Sequence, residues 1–139
     1  MQLSSYVTRL YKKADEKPAV YIYRPLFIYW IILFILTSIP SPALPAFGTS
    51  DKIKHFGAYF VLTVLMRLAA HFRFKLRTFT NKEFTITTIV VVIYAFFDEV
   101  HQLFIPGRYF DWYDLLSNIL GLICGLAITK YILNTALKG

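Results

Sequence analysis

The residues of this chain that could do chemistry gather where its apolar stretches end. One stretch closes with Asp98-Glu99-Val100-His101-Gln102. Each ionisable group there costs about 2.5–3.5 kcal/mol near a bilayer centre, and less toward its surface. Asp98, His101 and Gln102 stand at i, i+3 and i+4, so they share a helical face, with Glu99 beside it. A second set, Asp111, Asp114 and Asn118, steps i, i+3, i+7 along the next stretch. A third, Asp51-Lys52-Ile53-Lys54-His55, opens an earlier stretch and leads to Tyr59 one turn on. Histidine beside a carboxylate suits general acid–base work, so His55 and His101 are candidate bases. Asp98 and Glu99 are the candidate acids or orienting partners. Lys52, Lys54 and Arg108 could hold a phosphate or carboxylate, Arg108 through its two-pronged fork. Gln102, Asp111, Asp114, Asn118 and Tyr59 would complete a binding surface around them.

Blander readings exist for several of these residues. Asp111 or Asp114 suits a helix N-cap, and buried polar groups can simply bond one helix to another. Asn118 lies too far along its stretch to be a cap. At least nine polar residues converge at one end of three stretches, whereas the other halves read as apolar, which favours a site over glue. His71, at the far end, reads as an interfacial residue. A metal site is a further option, because Asp98-x-x-His101 has the spacing of carboxylate–histidine metal motifs and His55 with Asp114 or Glu99 could complete it. Transport has less support, since no polar path continues through the far half. No nucleophilic serine motif, glycine-rich phosphate loop or HExxH is present, so the residues name no cofactor.

The elements that must position these groups are membrane helices. Of 139 residues, 57% are hydrophobic and 18% aromatic, and the mean hydropathy is +0.53. A soluble domain of this length is rarely so apolar. A single cysteine, Cys124, excludes an internal disulfide or a cysteine-ligated zinc cluster. Four stretches reach the ~20 residues needed to span ~30 Å of hydrocarbon: Ala19–Ile39, Lys52–Phe72, Phe84–Ile105 and Trp112–Leu133. Pro40, Pro42 and Pro45 end the first. Pro106-Gly107 makes a tight turn between the last two, with proline at i+1 and glycine supplying positive φ at i+2. The expected fold is all-α: four transmembrane helices in a small antiparallel bundle. Residues 1–18 form a separate amphipathic segment and 19–139 the transmembrane domain. In the former, Leu3, Tyr6, Val7, Leu10 and Tyr11 share a face, as in a short helix lying on the membrane surface. Ser117, Gly121, Gly125 and Thr129 form a ladder of small residues for close packing, either within the chain or in a homo-oligomer.

Charge sets the orientation. With the N-terminus in the cytoplasm, 12 of the 15 basic residues fall on the cytoplasmic side, leaving Lys52, Lys54 and Arg108 outside. Short loops retain lysine and arginine inside, so both termini are expected in the cytoplasm and the polar constellation at the outer leaflet. The net charge of +7 is then topogenic and calls for no nucleic acid partner. Phe72 to Arg77 alternates aromatic or aliphatic with basic residues, which also suits anionic lipid headgroups. The stretch Ala43-Leu44-Pro45-Ala46 loosely resembles a signal-peptide cleavage site, but the long polar leader and crowded prolines favour an uncleaved first span.

The motifs resemble those of VanZ-like proteins. Asp51-Lys52-Ile53-Lys54-His55-Phe56-Gly57-Ala58-Tyr59 is similar to their D-K-x-x-H-F-x-x-Y segment. Asp98-Glu99-Val100-His101-Gln102 through Pro106 and Arg108 is similar to D-E-x-x-Q-x-x-x-P-x-R. Asp111, Asp114, Asn118 and Gly121 match D-x-x-D-x-x-x-N-x-x-G, without departure. The resemblance covers about residues 20–133. It implies a multipass protein of the bacterial cytoplasmic membrane, in a family whose namesake is associated with resistance to glycopeptides, teicoplanin in particular. It implies no established reaction. The expected function is binding or acting on a lipid-linked or peptidoglycan-related substrate at the outer leaflet. A non-catalytic ligand-binding or shielding protein, or a metal-dependent intramembrane enzyme, is the alternative.

Overall fold

A computed structural model describes residues 2–40, 50–74 and 81–138; side chains are described from residue 5, and not for 81 or 138. Every regular element among them is helical: α1 (Gln2–Glu16), a π-helical turn (Ala19–Tyr23) running into α2 (Arg24–Ser38), α3 (Asp51–Phe74), α4 (Asn81–Gln102) and α5 (Trp112–Lys138). Four helices, Ala19–Ser38, Asp51–Phe74, Lys82–Gln102 and Trp112–Leu137, are long and apolar enough to cross a membrane. The chain is a multipass membrane protein. Pro42, Pro45, the Ala43-to-Ala46 stretch and the Lys75-Leu76-Arg77 segment lie outside the described residues.

The helices run up, down, up, down, as the short connections require. α2 ends beside Arg108, and the first turns of α3 and α5 meet the last turn of α4. α3 and α5, two steps apart in the chain, run parallel and in closest contact, because Gly121 and Gly125 let the backbones meet. A Cβ at Gly121 would overlap the Phe56 carbonyl oxygen. One at Gly125 would stand 2.7 Å from Thr63 Cβ and 2.9 Å from the Phe60 carbonyl oxygen. The small-residue face of Ser117, Gly121 and Gly125 is therefore spent within the chain, and a homo-oligomer through it would have to displace α3. Leu33, Tyr59, Leu62, Val91, Ala95 and Leu122 form the core between the four spans. Phe27, Ile28, Ile93 and Phe96 point outward, as they must where hydrocarbon replaces water.

Three local features depart from the expected elements. The π-helical turn stands just before Pro25, with the Arg24 N–H bonding the Ala19 carbonyl. Proline lacks a donor and crowds the carbonyl four residues back, and one wider turn relieves both defects without breaking the span. α4 ends at Gln102 rather than Ile105. The next three amides bond i−3 carbonyls instead, leading into the Pro106-Gly107 turn, where Gly107 has φ 74°. Asp98 is thus about 6 Å from the helix end at 1.5 Å per residue. α1 does more than lie at an interface: Ala14 is buried, and Tyr11 packs on His71 and Phe72 at the end of α3. Tyr6 and Leu10 stay exposed and line an apolar groove between α1 and the last turns of α5.

Candidate functional site

His55, one turn into α3, is the hub of the polar end. Its Nδ1 lies 3.0 Å from Asn118 Oδ1. An amide oxygen only accepts, so Nδ1 donates this bond. Nε2 is 3.6 Å from Asp114 Oδ2, and Nδ1 is 3.6 Å from Glu99 Oε1. Glu99 and Asn118 are both 0% exposed. Asn118 Nδ2 has no hydrogen-bond partner. Glu99 accepts two long bonds, from Gln102 Nε2 at 3.5 Å and from the Asp111 N–H at 3.3 Å.

Around this hub the first turns of α3 and α5 are stitched by charge. Lys52 Nζ donates to Asp111 Oδ2 at 2.8 Å and lies 3.3 Å from Asp114 Oδ1. Asp111 is also the N-cap of α5, since the Tyr113 N–H donates to its Oδ1 at 2.8 Å. The blander reading of Asp111 therefore holds as well. The Lys52 ammonium, then the Tyr113 N–H, keep the Asp111 carboxyl below its usual value. Phe110 stacks edge-on with Trp112, and the exposed Tyr109 and Trp112 give this end the aromatic rim typical of a membrane–water interface.

The other sequence-nominated residues are placed around the hub. Asp98 accepts from the Tyr59 hydroxyl at 3.2 Å and lies within electrostatic reach of His55 and His101. His101 stacks on Phe34 and Phe97, with ring centroids 5.0 and 6.1 Å away. The physical reason is angular. At 3.6 residues per turn, Glu99 and His101 point roughly 160° apart, so Glu99 enters the α3–α5 side while His101 faces α2. The single face drawn through Asp98, His101 and Gln102 in fact straddles two neighbours. Asp98 and His101 accordingly do not join His55 in the metal set that the sequence suggested. Among the described residues Lys54 pairs with Asp51, at 2.9 Å on the exposed surface. Arg108 caps α2, donating from Nε to the Ile39 carbonyl at 3.3 Å and from Nη2 to the Leu36 carbonyl at 3.2 Å. Its Nη1 reaches Gln102 Oε1 at 3.4 Å, which links the guanidinium to Glu99 through Gln102.

Family comparison can be set on this geometry. A family model described as VanZ/LLP1 matches residues 26–134. The chain belongs to the VanZ/LLP1 family. No curated protein and no solved structure matches it. The VanZ/LLP1 match takes in His55, Glu99, Arg108, Asp111, Asp114 and Asn118 and leaves α1 outside.

The site can present a positioned imidazole beside two carboxylates. His55, Glu99 and Asp114 each offer one ligand atom within 4.8 Å of the others, so these three are the residues that could hold a metal.

Sequence reasoning missed a second buried cluster at the opposite end. Glu83, 0% exposed, lies 3.4 Å from Arg67 Nη2 and 3.2 Å from His71 Nδ1. The Tyr11 hydroxyl bonds His71 Nε2 at 3.0 Å. Burial, then Asp15 and Glu83, push the Tyr11 phenol above its usual value, so it stays a donor. His71 is therefore not interfacial, and the far halves of the spans are not purely apolar. The signal was present: Arg67 and His71 are i, i+4 on α3, and Glu83 and Thr87 are i, i+4 on α4. Placing Glu83 in a loop and counting Arg67 as topogenic concealed it.

Proposed function

We propose that this VanZ/LLP1-family protein binds or acts on a lipid-linked or cell-wall-derived substrate, using the His55–Glu99–Asp114–Asn118 cluster at the outer leaflet of a bacterial cytoplasmic membrane. One observation carries this reading. A fully buried carboxylate and a fully buried amide converge from two helices on one histidine of a third, at the interfacial end of an otherwise apolar bundle. Polar glue does not need an imidazole held at one nitrogen by a buried amide with its other nitrogen facing a carboxylate.

The orientation is supported by 12 of 15 basic residues falling toward the opposite end. In an acting role, His55 is the general base and Glu99 or Asp114 steadies it as it charges. An anionic headgroup would meet Lys52 and Lys54 first. Their pairs with Asp111 and Asp51 are exposed on the lysine side, and such pairs are worth only ~0–1 kcal/mol, so exchange for a phosphate is cheap. Arg108, in contrast, is already occupied by α2 and Gln102, which favours non-catalytic binding or shielding as the second reading. A role in teicoplanin resistance belongs to the same proposal.

The test is a deletion strain challenged with envelope-targeting antibiotics, teicoplanin included, and with the chain restored. Altered susceptibility to at least one agent, reversed by restoration, is the expected outcome. Unchanged susceptibility throughout would remove the envelope role.

A further inference from the structure

Charge at the polar end does not balance. Three carboxylates, Glu99, Asp111 and Asp114, surround His55, and among the described residues Lys52 is the ammonium that pairs with them. Asp111 and Asp114 share that lysine. Glu99, buried in the bundle, accepts two long hydrogen bonds and lies 3.6 Å from His55 Nδ1. Burying a carboxylate without a cation is costly unless its proton returns or a cation arrives.

The donor set fits one. In a tetrahedral site with metal–ligand bonds near ~2.0–2.2 Å, ligand atoms stand roughly 3.3–3.6 Å apart. His55 Nε2 and Asp114 Oδ2 are 3.6 Å apart, and one atom from each of His55, Glu99 and Asp114 lies within 4.8 Å of the others. Asn118 Oδ1 holds the other ring nitrogen at 3.0 Å, as the outer partner of a metal-bound histidine does. The Asn118 amide nitrogen is buried without a hydrogen-bond partner. An imidazole with two carboxylates selects a first-row transition metal over magnesium or calcium. Three protein ligands leave a coordination position free for substrate or water.

We propose that His55, Glu99 and Asp114 form a divalent transition-metal site, with Asn118 as the residue that orients His55. It rests on the site reading above and names the ion that cluster takes. The ion would supply a Lewis acid for a phosphate or carbonyl oxygen at the membrane surface.

The full chain, purified in detergent without a histidine tag, is dialysed against Zn2+ or Mn2+, and bound metal and thermal midpoint are measured. Expected are stoichiometric metal and a raised midpoint, with no such shift from Mg2+. His55→Gln and Asp114→Asn lose the metal, and Asn118→Ala weakens it by about 10–100-fold. His101→Gln, on the α2 side, retains it. A folded wild-type chain that takes up neither ion overturns the metal site and leaves the substrate reading to its own antibiotic test. Equal loss in His101→Gln, or full retention in His55→Gln, places the metal elsewhere and also overturns the proposal. Because Asp114 is partly exposed, its asparagine variant keeps the test decisive should a change at the fully buried Asn118 fail to fold.

Discussion

His55 Nδ1 and Asn118 Oδ1, 63 residues apart in the chain, are held 3.0 Å from each other. That bond is possible because the helices carrying them touch backbone to backbone at Gly121, one turn beyond Asn118. The packing ladder and the polar cluster are thus one construction: the glycines bring α3 and α5 close enough for a short amide to reach the imidazole.

Gly121→Ala tests this coupling. Its new methyl group meets the Phe56 carbonyl and Phe60 amide, backbone atoms that cannot turn aside. A destabilisation on the order of 1–3 kcal/mol is expected, read as a lower thermal midpoint in detergent. An unchanged midpoint would mean that the two helices are not in contact there.

The opposite end answers to Glu83. Glu83→Ala strands Arg67 and His71 without their shared carboxylate, and breaking a buried pair from one side costs about 3–5 kcal/mol. The double replacement Arg67→Met with Glu83→Leu removes both charges and should be the less damaging. Comparing membrane protein level and thermal midpoint of the two variants checks this. A double variant worse than Glu83→Ala would contradict the pairing.

Asp111 offers a titration. Lys52 keeps its carboxyl below the usual value, so the stabilisation is present above the unfolded value of about 3.9. It is lost as pH falls through the lower native one. Carbon-13 spectra of labelled aspartate should place the Asp111 midpoint below the ordinary value, and Lys52→Gln should raise it. No movement in Lys52→Gln would remove the ion pair from the account.

Orientation is tested by fusing a reporter active only outside the cytoplasm. Signal is expected at Gly107 and none at Asn81. The reverse would move the polar end to the inner leaflet.

Much of this was legible from residue types alone. Apolar run lengths gave the four spans to within four residues, and Pro106-Gly107 announced the turn that makes α4 and α5 neighbours. Asp51, His55, Glu99, Asp114 and Asn118 stood out because polar groups in apolar stretches are costly. What the sequence could not partition was the polar face of α4. Spacing of i, i+3, i+4 says that residues share a side, not which neighbour each one meets, so His101 was grouped with a hub that Glu99 reaches instead. Arg67, His71 and Glu83 were lost for a different reason. Charges near a span end read equally well as topology signals, and only the packing of α1 and α4 over them shows that they are buried.

The central claim is that His55 is the working residue of the polar end. The most direct measurement restores the deletion strain with His55→Gln, a replacement close in size that keeps a hydrogen-bonding group toward Asn118, and scores the antibiotic susceptibility that the deletion changes. Protein level in the membrane and thermal midpoint are followed in parallel. Failure to restore susceptibility, with folded protein at the wild-type level, is the predicted result. Full restoration by His55→Gln would contradict the account and leave the cluster as helix–helix glue.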